Sequence, residues 1–149
     1  MRRSASFAIL LAALLPGASS SAASTLVHFQ SPSGNINCIG EPSGQGPAFV
    51  ECLVRQSGWP ASPARPAGCD LDWEPHNLSL SKRRVGLGAC RGDVGPRCFH
   101  DCATLRYGRS LTIGPIRCRS AANGVTCRYV HGKQAGFRIA REGYVIWRS

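Results

Sequence analysis

The chain has 149 residues and carries 18 Lys and Arg against 8 Asp and Glu, which gives a formal net charge of +10 at pH 7. This length suits one domain rather than two. The positive charge argues against a strongly basic protein as a partner, because like charges repel across an interface.

The N-terminus has the pattern of a secretory signal peptide. Two arginines precede an apolar run, residues 7–15, and a tract of small residues follows it. The run is shorter than the roughly 20 residues that a membrane-spanning helix needs. We predict cleavage after Ala23, with Ala18 as a second candidate. Residues 1–23 would then be removed, and residues 24–149 would be exported to the periplasm or the medium without a transmembrane segment.

Short alternating runs of apolar and polar residues, bounded by Gly, Pro, Asn and Ser, predict an all-β domain. We expect a small disulfide-stapled β-sandwich or partly open barrel, built around two hairpins. An even number of cysteines in an exported chain predicts bridges, and all eight lie after residue 23: Cys38, Cys52, Cys69, Cys90, Cys98, Cys102, Cys118 and Cys127.

The first hairpin begins with the stretch Ser-Pro-Ser-Gly-Asn-Ile-Asn-Cys, residues 31–38. A second alternating run carries Cys52, and we predict that Cys38 bridges to it. Pro, Ser, Gly and Asn favour a tight turn. We therefore interpret Asn35 and Asn37 as turn and outward-face residues, with a ligand site as the alternative.

The middle of the chain is rich in proline between Trp59 and Cys69, so this segment cannot enter a central strand. We expect Trp59 to pack against the β core. Cys69 is expected to pair with Cys90, and Cys98 with Cys102, although other pairings of these four stay open. A zinc site at the close pair Cys98 and Cys102 is disfavoured, because export favours disulfides. We expect no metal and no cofactor.

The second hairpin joins residues 116–120 and 125–129 through a loop that contains Asn-Gly, a strong hairpin signal. A four-residue loop, residues 121–124, places Cys118 directly opposite Cys127, close enough to bridge. Both hairpins follow the plan Gly-x-Ile-x-Cys, loop, Val-x-Cys. This repetition suggests an internal duplication.

Arginines occupy the outward positions of the second hairpin, where Arg117 is predicted to lie opposite Arg128. Like charges that face each other across strands are unfavourable, so the arrangement invites an anion. Arg138, on the next strand, extends the patch. We call Arg117, Arg119, Arg128 and Arg138 the arginine face. Our hypothesis is that it binds an anionic polymer or lipid headgroups of the cell envelope, and the alternative is a merely solvated surface.

Other classes of function stay open. An exported inhibitor or partner-binding protein would need an acidic target. Nucleic acid is disfavoured, because the chain is exported and its aromatic residues are expected mostly in the core. Asp70, Asp72 and Glu74 alternate as on a strand, and we expect salt bridges to arginines rather than calcium.

A small hydrolase is the enzymatic alternative, although its candidate residues show no recognised catalytic spacing. We therefore predict no catalytic residues. The candidates are His28, His76, His100, His131, Asp70, Asp72, Glu74, Asp93 and Asp101.

A series of motifs in this chain resembles a family of small exported bacterial proteins known only as a domain of unknown function. The resemblance covers nearly all of the mature chain and implies no catalytic residues. The chain departs from the family pattern at residues 95–102, where Cys98 and Cys102 are an added pair. The motifs are F-x-S-P-S-G-N-I-x-C from Phe29, C-D-L-D-W from Cys69, C-x-G-D from Cys90, Y-G-R-S from Tyr107, G-V-T-C from Gly124, and the closing strand from Gly136 to Tyr144.

Overall fold

The structure is a computed structural model that describes residues 25–44, 46–61, 63–93, 95–98, 102–132 and 134–148. The predicted signal peptide with its cleavage sites, and also His100 and Asp101, lie outside these ranges. The described residues form eleven strands and no helix: β1 (Val27–Gln30), β2 (Ile36–Glu41), β3 (Phe49–Val54), β4 (Asp72–Ser81), β5 (Arg84–Arg91), β6 (Ala103–Thr104), β7 (Ser110–Ile113), β8 (Ile116–Ala121), β9 (Gly124–Tyr129), β10 (Gly136–Ile139) and β11 (Tyr144–Trp147).

The strands build two sheets. Sheet 1 has the order β5-β4-β3-β2-β1-β6, and its neighbours are antiparallel except for β1 and β6, which run parallel. Sheet 2 is an antiparallel meander with the order β11-β10-β9-β8-β7. The described residues contain no helix that is long and apolar enough to cross a membrane.

One core lies between the two sheets. The alternation along each strand sends apolar side chains to the inner face, since successive side chains point to opposite faces. Phe29 and Leu78 from sheet 1, and Ile116 and Phe137 from sheet 2, are fully buried in the same cluster. The fold is therefore all-β, with two sheets packed face to face and no closed barrel.

All four predicted disulfides are present: Cys38–Cys52, Cys69–Cys90, Cys98–Cys102 and Cys118–Cys127. The first and the last join residues directly opposite each other in the hairpins β2–β3 and β8–β9. Both lie in the core, one in each sheet. Multiple disulfides are consistent with an exported protein.

The second hairpin corrects one detail of the prediction. Ser120 pairs with Val125 as expected, but the ladder continues to Ala121 and Gly124. The connection is thus the two residues 122–123 rather than a four-residue loop. An additional strand pair satisfies backbone donors and acceptors that a wider loop would leave to solvent.

The proline-rich segment packs as predicted. Trp59 is buried, and its indole Nε1 donates a hydrogen bond of 3.1 Å to the carbonyl of Ala140. Its ring meets His76 edge-on and lies close to Tyr144. The segment therefore connects β4 of sheet 1 to the turn between β10 and β11.

Candidate functional site

The outer face of sheet 2 brings the four predicted arginines together. Strand register confirms that Arg117 lies opposite Arg128, and it places Arg138 beside Thr126 on the neighbouring strand. Two rows cross the sheet: Thr112, Arg117, Arg128, Gly136 and Trp147 in one, and Ser110, Arg119, Thr126, Arg138 and Val145 in the other. The inner neighbours Cys118, Cys127, Phe137 and Ile139 are fully buried, which fixes the arginines outward.

No negative charge balances this surface from within its own sheet. Strands β7 to β11 contain no Asp or Glu. None of the four arginines forms an ion pair with another described residue. Arg117 and Arg119 are exposed, and Arg128 and Arg138 are half-buried. The arginine face therefore carries four uncompensated positive charges, and two of them are partly withdrawn from water.

Arg128 is held by Trp147. Its guanidinium carbon lies 3.5 Å from the centre of the Trp147 ring, a cation–π contact. Gly136 sits between the two in the row, and a Cβ there would lie 2.5 Å from Arg128 Cγ. The glycine thus leaves the space that the arginine stem crosses to reach the indole.

Two polar atoms in this surface have unmet hydrogen-bonding capacity. The Nε atoms of Arg128 and Arg138 are buried and have no hydrogen-bond partner among the described residues. A buried donor without a partner costs free energy. The two Nε atoms therefore destabilise this surface unless the side chains move to find an acceptor.

A shallow cavity of about 400 Å³ lies on this face. Its walls offer donors from three guanidinium groups, two hydroxyls and one side-chain amide. Arginine forks bind phosphate and carboxylate oxygens through paired hydrogen bonds. The residues that supply these groups are Arg117, Arg119, Arg128, Ser110, Thr126 and Gln134. Arg138 lies outside the cavity wall.

Sheet 1 carries a different electrostatic arrangement, in which charges neutralise each other. Arg91 pairs with Glu51 and lies 3.1 Å from Glu74, and Arg97 also approaches Glu74. The predicted salt bridges are therefore confirmed for Glu74. Asp70 precedes β4, so the three predicted carboxylates do not share one strand.

The carboxyl group of Glu74 is half-buried beside Arg91 and Arg97. Burial raises the pKa of its carboxyl group, and the nearby Asp93 and Asp72 act in the same direction. Arg97 opposes them by lowering the pKa. The carboxyl group is therefore easier to protonate than in a solvated chain.

The predicted candidates for a hydrolase are spread over the molecule. His28 is exposed on β1, and His131 is exposed after β9. His76 shares a shallow cavity with Glu74, but its Nε2 contacts the carbonyl oxygen of Trp59 at 3.1 Å. Glu74 is engaged by arginines. The two side chains therefore already have structural partners.

Sequence reasoning missed the aromatic residues of the surface. The expectation that aromatic residues lie mostly in the core does not hold for Tyr107, which is 51% exposed, or for Trp147 on the outer face. The pairing of Trp147 with Gly136 depends on the register of β10 and β11. A glycine within an alternating strand was the available signal, since it often marks a close approach.

The chain matches the model of a family of unknown function, DUF6636, over residues 5–147. No curated protein and no solved structure was found to match it. The family match extends over almost the full sequence, including the hairpins, the arginine face and all eight cysteines. The chain is thus a member of the DUF6636 family of unknown function.

Proposed function

We propose that the protein is an exported, non-catalytic binding module that holds an anionic component of the cell envelope on its arginine face. The ligand chemistry is a phosphate or carboxylate group, carried by a glycan polymer or by lipid headgroups. The observation that carries the proposal is a cluster of four arginines without ion pairs among the described residues, on a sheet whose strands contain no Asp or Glu.

Several features support this function over a solvated surface. A solvated arginine gains little from partial burial, whereas Arg128 is fixed against Trp147 and has lost conformational freedom. Such preorganisation reduces the entropic cost of binding. Export is supported by the N-terminal sequence pattern and by four disulfides.

Co-sedimentation with purified envelope fractions across a salt series tests the proposal. The test variant changes Arg117, Arg119 and Arg128 to serine. The matched control changes three exposed arginines outside sheet 2 to serine, Arg55, Arg84 and Arg106, so that both variants lose the same charge.

We expect wild type and control to bind at low salt and to release as salt rises, because screening weakens exposed charge interactions. The test variant should remain in the supernatant. Equal loss of binding in both variants would mean that total charge, rather than the arginine face, governs association. Binding that is lost after protease treatment of the envelope would instead indicate an acidic protein partner.

A further inference from the structure

A second cavity lies at one end of the sandwich, apart from the four arginines of the arginine face. It has a volume of about 330 Å³, at the lower end of the range for small-molecule sites. Four turns and the segment that follows β3 enclose it. We call it the end cleft, and the residues used below are Ser31, Asn35, Gln56, Tyr107, Arg141 and Glu142.

The floor of the end cleft is a rigid turn. Gly34 N–H donates to the carbonyl of Ser31, and the Ser31 hydroxyl accepts from Ile36 N–H. Asn35 forms two hydrogen bonds with the backbone of Gln56, just after β3. Its Nδ2 donates to the carbonyl of Gln56 at 3.1 Å, and its Oδ1 accepts from Gln56 N–H at 2.8 Å. The motif Ser-Pro-Ser-Gly-Asn therefore forms the floor. Both polar side-chain atoms of Asn35 are already hydrogen-bonded within the protein.

The walls of the end cleft are also fixed by backbone hydrogen bonds. In the turn at Tyr107, Arg109 N–H donates a hydrogen bond to the carbonyl of Arg106. Gly108 N–H donates another to the carbonyl of Ser120. Gly108 has a φ of 79°, as the third position of a type II turn requires. On the opposite side the carbonyl of Arg141 accepts from Gly58 N–H at 2.7 Å. The end cleft is thus preformed.

Four side chains at the end cleft have no internal partner among the described residues: Gln56, Tyr107, Arg141 and Glu142. They present an amide, a half-exposed aromatic ring, a guanidinium group and a carboxylate. Arg141 and Glu142 are the charged residues of the lining, and their charges cancel. The end cleft therefore lacks the positive bias of the arginine face.

This combination fits a polyhydroxylated ligand. Each sugar hydroxyl both donates and accepts, so it can donate to the Glu142 carboxylate and accept from the Arg141 or Gln56 side chain. The face of an aromatic ring is electron-rich, and it attracts the slightly positive C–H groups on one side of a pyranose ring. Tyr107 supplies such a face at the rim.

We propose that the end cleft binds a neutral saccharide unit, with Tyr107 stacking on the sugar ring and Glu142, Arg141 and Gln56 binding its hydroxyls. This goes beyond the proposed function, because it requires neither the arginine face nor an anionic ligand. It also gives the Ser-Pro-Ser-Gly-Asn turn at the floor a role in shaping a site.

Protein-detected NMR titration tests this inference with three neutral probes: the N-acetylglucosamine disaccharide, maltotriose and mannotriose. At least one should shift the amide signals of Gln56, Tyr107, Arg141 and Glu142, with a Kd of about 1 mM or tighter. The Kd should not change with salt, since the ligand is uncharged. Tyr107→Ala and Glu142→Gln should each weaken binding about tenfold, or roughly 1.4 kcal/mol, whereas Tyr107→Phe, which keeps the ring, should retain most of it.

The serine variant of the arginine face is the control, and it should bind the sugar as wild type does. This separates failure of the saccharide site from failure of the proposed function. The inference is overturned if none of the probes shifts these signals, if Tyr107→Ala binds unchanged, or if the shifts map elsewhere. It is also overturned if glycylglycine, a zwitterion, occupies the end cleft while the sugars do not.

Discussion

Gly136 is the residue on which the geometry of the arginine face depends most closely. A Cβ at this position would lie 2.5 Å from Arg128 Cγ and 2.9 Å from Arg128 Cα. The side chain could move, but the Cα belongs to the neighbouring strand. Any larger residue must therefore displace backbone as well as the arginine that stacks on Trp147.

We expect Gly136→Ala to lower the free energy of unfolding by about 1–3 kcal/mol, the usual cost of overpacking. It should also weaken anion binding, because Arg128 loses its position over Trp147. Urea unfolding followed by tryptophan emission measures the first effect. Gly143→Ala is the matched control, since no atom lies within 4 Å of a Cβ there. Equal stability of the two variants would contradict the close packing at Gly136.

Glu74 makes stability depend on pH. Burial raises the pKa of its carboxyl group above 4.5, so the folded protein holds this proton more tightly than the unfolded chain. Its contribution to the free energy of unfolding is therefore fully present below pH 4.5 and is lost as pH rises through the raised pKa.

Glu74→Gln removes this titration. We expect wild type to lose stability relative to the variant as pH rises from 4.5, measured by urea unfolding at a series of pH values. If wild type instead gains stability relative to Glu74→Gln as pH rises, the ion pairs of Glu74 with Arg91 and Arg97 outweigh the effect of burial.

At the scale of elements, the two stapled hairpins are the part of the fold that the sequence predicts best. Cys38–Cys52 and Cys118–Cys127 join strands that are adjacent along the chain, so the alternation and the turn residues set their register locally. The parallel pairing of β1 with β6 joins segments that are distant in sequence, so local patterns carry no signal for it.

Removal of the Cys118–Cys127 bridge should destabilise the protein. The paired change to alanine opens a bridge with a sequence separation of 9, for which the chain-entropy model gives about 2.5 kcal/mol. The same change at Cys98 and Cys102, with a separation of 4, should cost less, about 2 kcal/mol, and lies outside the core. Thermal unfolding compares the two. A greater loss at Cys98 and Cys102 would contradict the central role of the hairpin bridges.

The candidate sites were only partly predictable for a related reason. The positions of Arg117, Arg119 and Arg128 follow from a single hairpin and were predicted correctly. Trp147 lies on the surface because β11 pairs with β10, and Tyr107 lies there because its turn packs on β8. Neither position follows from a local pattern. The end cleft combines four turns that are distant in sequence, so it could be recognised only in the folded structure.

At the scale of the whole molecule, the two sheets differ in whether their arginines are paired with carboxylates. The outer face of sheet 1 pairs Arg91 with Glu51 and Glu74, so its carboxylates are already engaged. Sheet 2 leaves its arginines uncompensated over the same core. The Tyr107–Gly108 turn borders both the cavity of the arginine face and the end cleft. The sandwich therefore presents two neighbouring surfaces that differ in charge.

The central claim is that the arginine face, rather than positive charge in general, binds anionic groups. NMR detection of the arginine Nε–H signals during titration with inorganic pyrophosphate tests it most directly. We predict that the signals of Arg117, Arg119, Arg128 and Arg138 shift together, because the four side chains share the outer face of sheet 2. The signals of Arg55 and Arg106 should stay in place. Equal shifts at all exposed arginines, or none on sheet 2, would contradict the account.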